Sequence, residues 1–153
     1  MCRSLSLVLL LSFLTIVPAC GTFTRDFDPP LREANEQLEV AVRRLKLKKG
    51  RLRIWADLIN KTDQTLLLRY SDFQARSGGR VHPGALRVPF VRVTKEFEMP
   101  PHFHKSLSQP VEFEGVGEPA SIEFVVENIR VQGQDGSSSV SVQVPLMQAS
   151  DLD

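Results

Sequence analysis

Cysteine is nearly absent from this sequence. Its 153 residues include only two cysteines, Cys2 and Cys20, both close to the N-terminus. Beyond Cys20, no thiol is left to form a disulfide, to ligate a metal or to act as a nucleophile. A domain formed by that part of the chain must therefore be held together by its hydrophobic core alone. Its length is ample for one domain and short for two.

Catalytic sequence motifs are absent as well. The chain contains no G-x-S-x-G, no glycine-rich phosphate loop and no H-E-x-x-H. A serine triad assembles from residues that are distant in sequence, so the sequence leaves that alternative open. With only three histidines in the chain, we expect a protein that is not an enzyme and that needs no cofactor.

The chain also lacks an excess of charge of either sign. It has 19 basic and 18 acidic residues. The only charged residue before Cys20 is Arg3, so the chain from Cys20 onward is balanced. A neutral domain has no general field that attracts polyanions, and we therefore expect no nucleic acid partner. Any preference for an anionic ligand must be local.

There is a single long hydrophobic run, and it lies at the N-terminus. Arg3 precedes an almost unbroken apolar stretch from Leu5 to Val17, which small residues follow. A short apolar run with a basic residue before it and a small-residue site after it is the form of a secretory signal peptide, too short for a spanning helix.

The end of this run, Val17-Pro18-Ala19-Cys20, resembles the lipobox of bacterial lipoproteins. The resemblance implies that residues 1–19 are removed and that Cys20 is lipidated and becomes the N-terminus, so that the membrane is a partner of the protein. It also implies a location in the cell envelope. Gly21 in the next position implies the outer membrane if the host is Gram-negative. The alternatives are an ordinary secretory signal with Cys20 as a spectator, or an uncleaved N-terminal anchor.

Residues 20–37 are expected to be the lipidated N-terminus and a polar tether. This segment contains Pro29 and Pro30 and too few large apolar residues to predict a strand or helix.

From Leu38 onward, apolar and polar residues alternate with a period of two, which is typical of half-buried strands. The phase of the alternation changes at Arg43-Arg44, and a change of this kind inside a strand predicts a β-bulge. Beyond Asn128, Ile129 and Val131 continue their strand in the other phase. Turn sequences at Lys49-Gly50 and Gly78-Gly79 predict hairpins. We predict an all-β domain over residues 38–147, an immunoglobulin-like β-sandwich of seven or eight strands, with a tail over 148–153.

Roughly the middle half of the chain resembles a known family. The likeness rests on the strand that ends in Ile59-Asn60-Lys61-Thr62, the Tyr70-Ser71-Asp72-Phe73 step, the Gly78-Gly79 hairpin and the strand Val111-Glu112-Phe113. These features resemble the uncharacterised immunoglobulin-like domains of bacterial lipoproteins that are related to the mycobacterial immunoprotective extracellular protein. The resemblance implies a fold and a surface location, and it implies no catalytic residues.

His102 and His104 are candidate metal ligands. Two histidines at positions i and i+2 of an extended segment project to the same side and could share a copper or zinc ion, with Met99 nearby. The alternative is a solvated loop fixed by its prolines.

A run of basic residues is the second candidate site. Lys46 and Lys48 would share one face of a strand with Arg44, and Arg51 and Arg53 would share a face of the next strand. Together they predict a positive stripe that could bind lipid phosphates or an anionic envelope polymer. The alternative is a solvated sheet face whose lysines discourage pairing between sheet edges.

The remaining expectations concern contact surfaces. Trp55 is expected in the core, and the alternative is an exposed contact residue. The connection from Gly78 to Lys105 is expected to be the main contact region for an envelope protein.

Overall fold

The computed structural model describes residues 22–88, 91–93 and 95–146 of the chain. These residues form thirteen β-strands and one short 3-10 turn at Tyr70–Asp72. The strands are β1 (Thr22–Ala34), β2 (Leu38–Lys48), β3 (Arg51–Asn60), β4 (Leu66–Arg69), β5 (Phe73–Ser77), β6 (Arg80–Pro83), β7 (Ala85–Val88), β8 (Val91–Val93), β9 (Glu96–Met99), β10 (His104–Ser106), β11 (Val111–Phe113), β12 (Ser121–Val131) and β13 (Ser138–Pro145). None of the described residues belongs to a helix that is long and apolar enough to cross a membrane.

The strands form two antiparallel sheets. The first sheet has the order β1-β2-β3-β11-β7-β8, and β10 also pairs with β3. The second has the order β6-β5-β12-β4-β9, and β13 also pairs with β12. The predicted all-β sandwich is therefore confirmed. The described residues contain more strands than the seven or eight expected, because several short strands follow one another with only one or two residues between them.

The core lies between the sheets and draws on both. Its largest fully buried side chains include Phe113 from the first sheet and Phe73 and Phe124 from the second. The ring of Phe124 meets Phe113 edge-on at 6.0 Å and Phe73 at 6.0 Å. Aromatic contacts of this kind add to the free energy of apolar burial. They join the two sheets at the centre of the molecule.

The expected tether is wrong for most of its length. Thr22–Ala34 forms β1, which pairs with β2 along the edge of the first sheet. Phe23, Phe27 and Leu31 turn inward and pack against the core. The ladder is interrupted between Asp26 and Leu31, where the prolines, which have no N–H to donate, are tolerated on an edge strand. Among the described residues, the first sheet thus includes the chain from Thr22 onward rather than from residue 38.

The predicted bulge at Arg43-Arg44 is confirmed, and the change of phase near Asn128 is a second register shift. The pairing of β2 with β3 shifts between Val42 and Arg44, so Arg43 is the extra residue. The pairing of β12 with β13 shifts between Val126 and Ile129, and Asn128 there has a φ of 50°. In both places the shift keeps the apolar side chains before and after it on the core side.

The chain passes from one sheet to the other at Gly84. β6 belongs to the second sheet and β7 to the first, and Gly84 is the single residue between them. The segment from Gly78 to Lys105, expected to be a long connection, therefore contains β6, β7, β8, β9 and the start of β10.

Some expectations fall on residues that the structure does not describe. The signal peptide of residues 1–19, the lipidation site Cys20 and the tail of residues 148–153 lie outside the described part of the chain.

Candidate functional site

The basic residues predicted to form a stripe lie together on the outer face of the first sheet. β2 and β3 form a hairpin through Lys49-Gly50, as expected. Lys48 pairs directly with Arg51, and Lys46 pairs with Arg53. We call the group Arg44, Lys46, Lys48, Lys49, Arg51 and Arg53 the basic face.

The edge strand β1 extends this face by one column. Its Thr22, Thr24 and Asp26 stand opposite residues of β2. Counted from the hairpin, the three rows across β1, β2 and β3 are Thr22-Lys48-Arg51, Thr24-Lys46-Arg53 and Asp26-Arg44-Trp55. Like charges directly opposite each other destabilise a sheet, so two such pairs in successive rows require compensation or a function.

Part of the compensation comes from Glu112 of β11. Its side chain is only 4% exposed, and it stands opposite Arg53 in the ladder. Arg53 Nε donates a hydrogen bond of 2.8 Å to Glu112 Oε2, and Arg51 Nε lies 3.6 Å from Oε1. A buried carboxylate is stabilised by such partners. The hydrogen bond holds the Arg53 guanidinium along one side of the face, and Arg51 lies within ion-pair distance of the same carboxylate.

Arg44 is held in the third row by two neighbours. Its Nε forms an ion pair of 3.0 Å with Asp26 Oδ1, and its guanidinium lies 5.7 Å from the centre of the Trp55 ring. Trp55 is half-buried on this outer face. The expectation of a core tryptophan is therefore wrong, because Trp55 is one residue out of phase with the buried Ile54 and Ala56.

The lysines of the basic face are its unpaired cations. Within the part of the chain that the structure describes, Lys46, Lys48 and Lys49 form no ion pair with a carboxylate. With Arg51 and Arg53, they line a shallow cavity of about 310 Å³. The cavity is wide enough for a small anionic group, and every described side chain that lines it is a cation.

The hairpin turn at the end of the face is fixed by its backbone. Lys49 has a φ of 50° and Gly50 a φ of 72°, the left-handed pair that a two-residue hairpin turn requires. The Gly50 carbonyl accepts a hydrogen bond of 2.9 Å from the N–H of Val116. The loop that carries Val116 also carries Glu114 and Glu118, so carboxylates lie in the chain beside the turn.

The two candidate metal ligands do not have the geometry expected of them. His102 has a φ of 55° and lies in a turn, so the segment is not extended there. Its Nε2 lies 2.6 Å from Asp63 Oδ1, whereas His104 Nε2 lies 3.8 Å from Asp57 Oδ2. Among the described residues, no three histidine, cysteine, aspartate or glutamate side chains are grouped to hold a metal ion.

A second polar cluster, which the sequence did not reveal, surrounds Asp57. Arg43 Nε lies 3.0 Å from Asp57 Oδ1, and Arg43 Nη2 donates a hydrogen bond of 3.0 Å to Ser106 Oγ. Asp57, His104 and Ser106 are the residue types of a catalytic triad, but Ser106 is bonded to Arg43 and His104 is too far from Asp57 for a hydrogen bond. The cluster ties β10 to the bulge of β2 and is not arranged for catalysis.

The outer face of the second sheet carries mixed charges that neutralise one another. Glu96 of β9 accepts a hydrogen bond from Arg130 Nη2, and its Oε2 lies 3.3 Å from Arg69 Nε. The hydrogen bond from Arg130, with the further contribution of Arg69, lowers the pKa of the Glu96 carboxyl. This side of the molecule thus contrasts with the basic face, where cations are in excess.

Comparison with known proteins gave no match to a family model, to a curated protein or to a solved structure.

Proposed function

We propose that the protein is a lipid-anchored, non-enzymatic binding protein of the cell envelope, held at the membrane through Cys20. Its basic face binds an anionic component of the envelope. The lipobox-like sequence Val17-Pro18-Ala19-Cys20 supports the anchor, and Gly21 supports the outer membrane if the host is Gram-negative. An all-β sandwich gives such a protein a rigid platform on which surface side chains are held in register.

The observation that carries the binding role is the array of cations in the basic face. A solvated sheet edge would need only scattered lysines, whereas here two rows place basic residues directly opposite each other. Like charges placed opposite each other destabilise the sheet. The concentration of positive charges around one cavity therefore favours a ligand that supplies the missing negative charge.

The anchor is tested by replacing its nucleophile. In cells supplied with a radioactive fatty acid, we expect the wild-type chain to be labelled and Cys20→Ser to take up no label and to keep its signal sequence. The cysteine thiol is the acceptor of the lipid in proteins with a lipobox, and a serine hydroxyl does not replace it. Equal labelling of the two chains would contradict the anchor.

The binding role is tested with the soluble polyanion dextran sulfate and the lipidated protein in zwitterionic phosphatidylcholine vesicles. We expect binding that weakens as salt increases, because the contacts are between exposed charges. We expect Lys46→Glu with Lys48→Glu to abolish it. The control, Lys61→Glu with Arg80→Glu, makes the same change of net charge at two exposed positions outside the basic face. Binding that is independent of salt, or equally weak in both variants, would contradict the proposal.

The alternative function, metal handling through His102 and His104, stays a prediction that no described contact favours. Their side chains are directed to two different carboxylates, Asp63 and Asp57.

A further inference from the structure

The basic face lies very close to the point at which the chain would be anchored. Thr22, the first residue of β1, pairs with Lys48 in the row next to the hairpin. Cys20 precedes Thr22 by two residues, and two residues span at most about 7 Å. A lipid on Cys20 would therefore hold this row within about one Debye length of the membrane surface. The Debye length is ~8 Å at physiological salt.

The cations are not confined to the tip of the hairpin. Neighbouring rows of the face are two residues apart along each strand, or about 7 Å, so the Arg44 row lies about 14 Å from the Lys48 row. If the domain stood upright on its hairpin end, only the first row would be close to the lipid headgroups. All three rows reach the headgroups only when the outer face of the first sheet lies against the membrane.

The chemistry of the face suits the phosphates of lipids. An ammonium group is a compact charge on a flexible stem, and Lys46, Lys48 and Lys49 have no carboxylate partner among the described residues. Trp55, beside Arg44 at the far end of the face, is half-buried and has the mixed polarity that favours a membrane interface.

We propose that the basic face binds the phosphates of anionic phospholipids in the same membrane that holds Cys20. The domain then lies with the first sheet against the bilayer, and the second sheet, with its neutralised charges, faces away from the membrane. This inference rests on the proposed function, of which it names the ligand. It also assigns an orientation to the anchored domain.

Trp55 gives a direct measurement of this orientation, because it is the only tryptophan in the chain. The lipidated protein is reconstituted into vesicles of phosphatidylcholine alone or with phosphatidylglycerol, each containing a lipid with a nitroxide quencher on its headgroup. We expect strong quenching of Trp55 fluorescence in the anionic vesicles and weak quenching in the neutral ones. Raising the salt concentration should remove the difference.

The same variants provide the control. Lys46→Glu with Lys48→Glu should reduce quenching in anionic vesicles to the neutral level, while Lys61→Glu with Arg80→Glu should leave it unchanged. Affinity is measured by adding the chain from detergent to vesicles at a limiting concentration of lipid. The apparent affinity of Lys46→Glu with Lys48→Glu for anionic vesicles should be about tenfold or more below that of the wild type, as expected for the loss of several charge contacts.

The outcomes separate this inference from the proposed function. If Trp55 is quenched equally in both vesicle types while dextran sulfate still binds, the lipid is not the ligand and the proposed function stands. If dextran sulfate fails to bind and the quenching of Trp55 is also independent of lipid charge, the proposed binding role and this inference are both overturned. A chain that takes up no acyl label overturns the anchor and this inference together.

Discussion

At the scale of single residues, Lys49 has an unusual position. It occupies the first place of a two-residue hairpin turn with a φ of 50°, where asparagine or glycine is the favoured residue. A side chain such as lysine is disfavoured in the left-handed region by about 1 kcal/mol or more. The presence of a cation there, at the rim of the basic cavity, agrees with a role in binding rather than in folding.

Lys49→Asn should therefore separate stability from binding. We expect the free energy of unfolding in urea to rise by up to about 1 kcal/mol, because asparagine adopts this conformation more readily. We expect the affinity for anionic vesicles to fall.

The control for this substitution is Lys49→Gln, which removes the same charge at the same position but, unlike asparagine, has no preference for the left-handed region. It should weaken binding without the gain in stability. A loss of stability in Lys49→Asn, or unchanged binding in both variants, would contradict this account of the turn.

Asn60 shows how one buried residue determines a loop. The two N–H groups of its Nδ2 are shared among the carbonyls of Gln64, Met99 and Pro100, and its Oδ1 accepts a hydrogen bond from the N–H of Thr62. A buried amide with these partners fixes the path of the chain at the end of β3. The sequence indicated that a strand ends at this point, but it gave no sign that Met99 and Pro100, distant in the chain, would fix the loop that follows.

At the scale of elements, β1 is the largest difference from expectation. The alternation of Phe23 and Phe27 with Thr22, Thr24 and Asp26 is a strand pattern, but the two adjacent prolines and the low apolar content concealed it. A strand at the edge of a sheet needs only one buried face and one partner, so a weakly apolar sequence is sufficient. Its pairing with β2 brings the beginning of the domain to the basic face.

The strands of the second sheet are linked through Glu96, and this gives a pH dependence. The pKa of Glu96 is lowered in the folded protein, first by the hydrogen bond from Arg130 and then by Arg69. A carboxyl with a lowered pKa stabilises the fold above its ordinary pKa of about 4.5, and the contribution is lost as the pH falls through the lower value.

We therefore expect Glu96→Gln to be less stable than the wild type at pH 7. The difference in the free energy of unfolding should shrink below about pH 4.5 and vanish in more acidic solution. Urea unfolding measured from pH 3 to 7 tests this. Glu98 lies on the same strand but has no ion pair among the described residues. The free energy of unfolding of Glu98→Gln should therefore change with pH in the same way as that of the wild type. A constant difference for Glu96→Gln across the whole range would show that the ion pairs are not its cause.

At the scale of the whole molecule, the packing of the two sheets depends on Gly84. A Cβ at this position would lie 2.7 Å from Val111 Cγ1, 2.8 Å from the Phe73 carbonyl oxygen and 2.9 Å from Phe113 Cε1. The N–H of Gly84 also donates a hydrogen bond of 2.6 Å to that carbonyl. There is no room for a side chain where the chain crosses between the sheets.

Gly84→Ala should consequently destabilise the protein by about 1–3 kcal/mol, as overpacking of a core does. The control is Gly117→Ala, where a Cβ would meet nothing within 4 Å and only the positive φ of 73° opposes the substitution. Equilibrium unfolding of the two variants measures the difference. A loss well below about 1 kcal/mol for Gly84→Ala would contradict the crowding argument.

The local pattern of the sequence determined the class of the fold, the bulge at Arg43-Arg44, the hairpins at Lys49-Gly50 and Gly78-Gly79, and the alignment of Arg44, Lys46 and Lys48 on one strand face. These features depend on alternation and turn chemistry, which act over a few residues. Only the tertiary structure decided that β1 joins the sheet, that Glu112 is buried beside Arg53 and that Gly84 is crowded. Each of these depends on which strands become neighbours, and that choice is made by the packing of residues far apart in the chain.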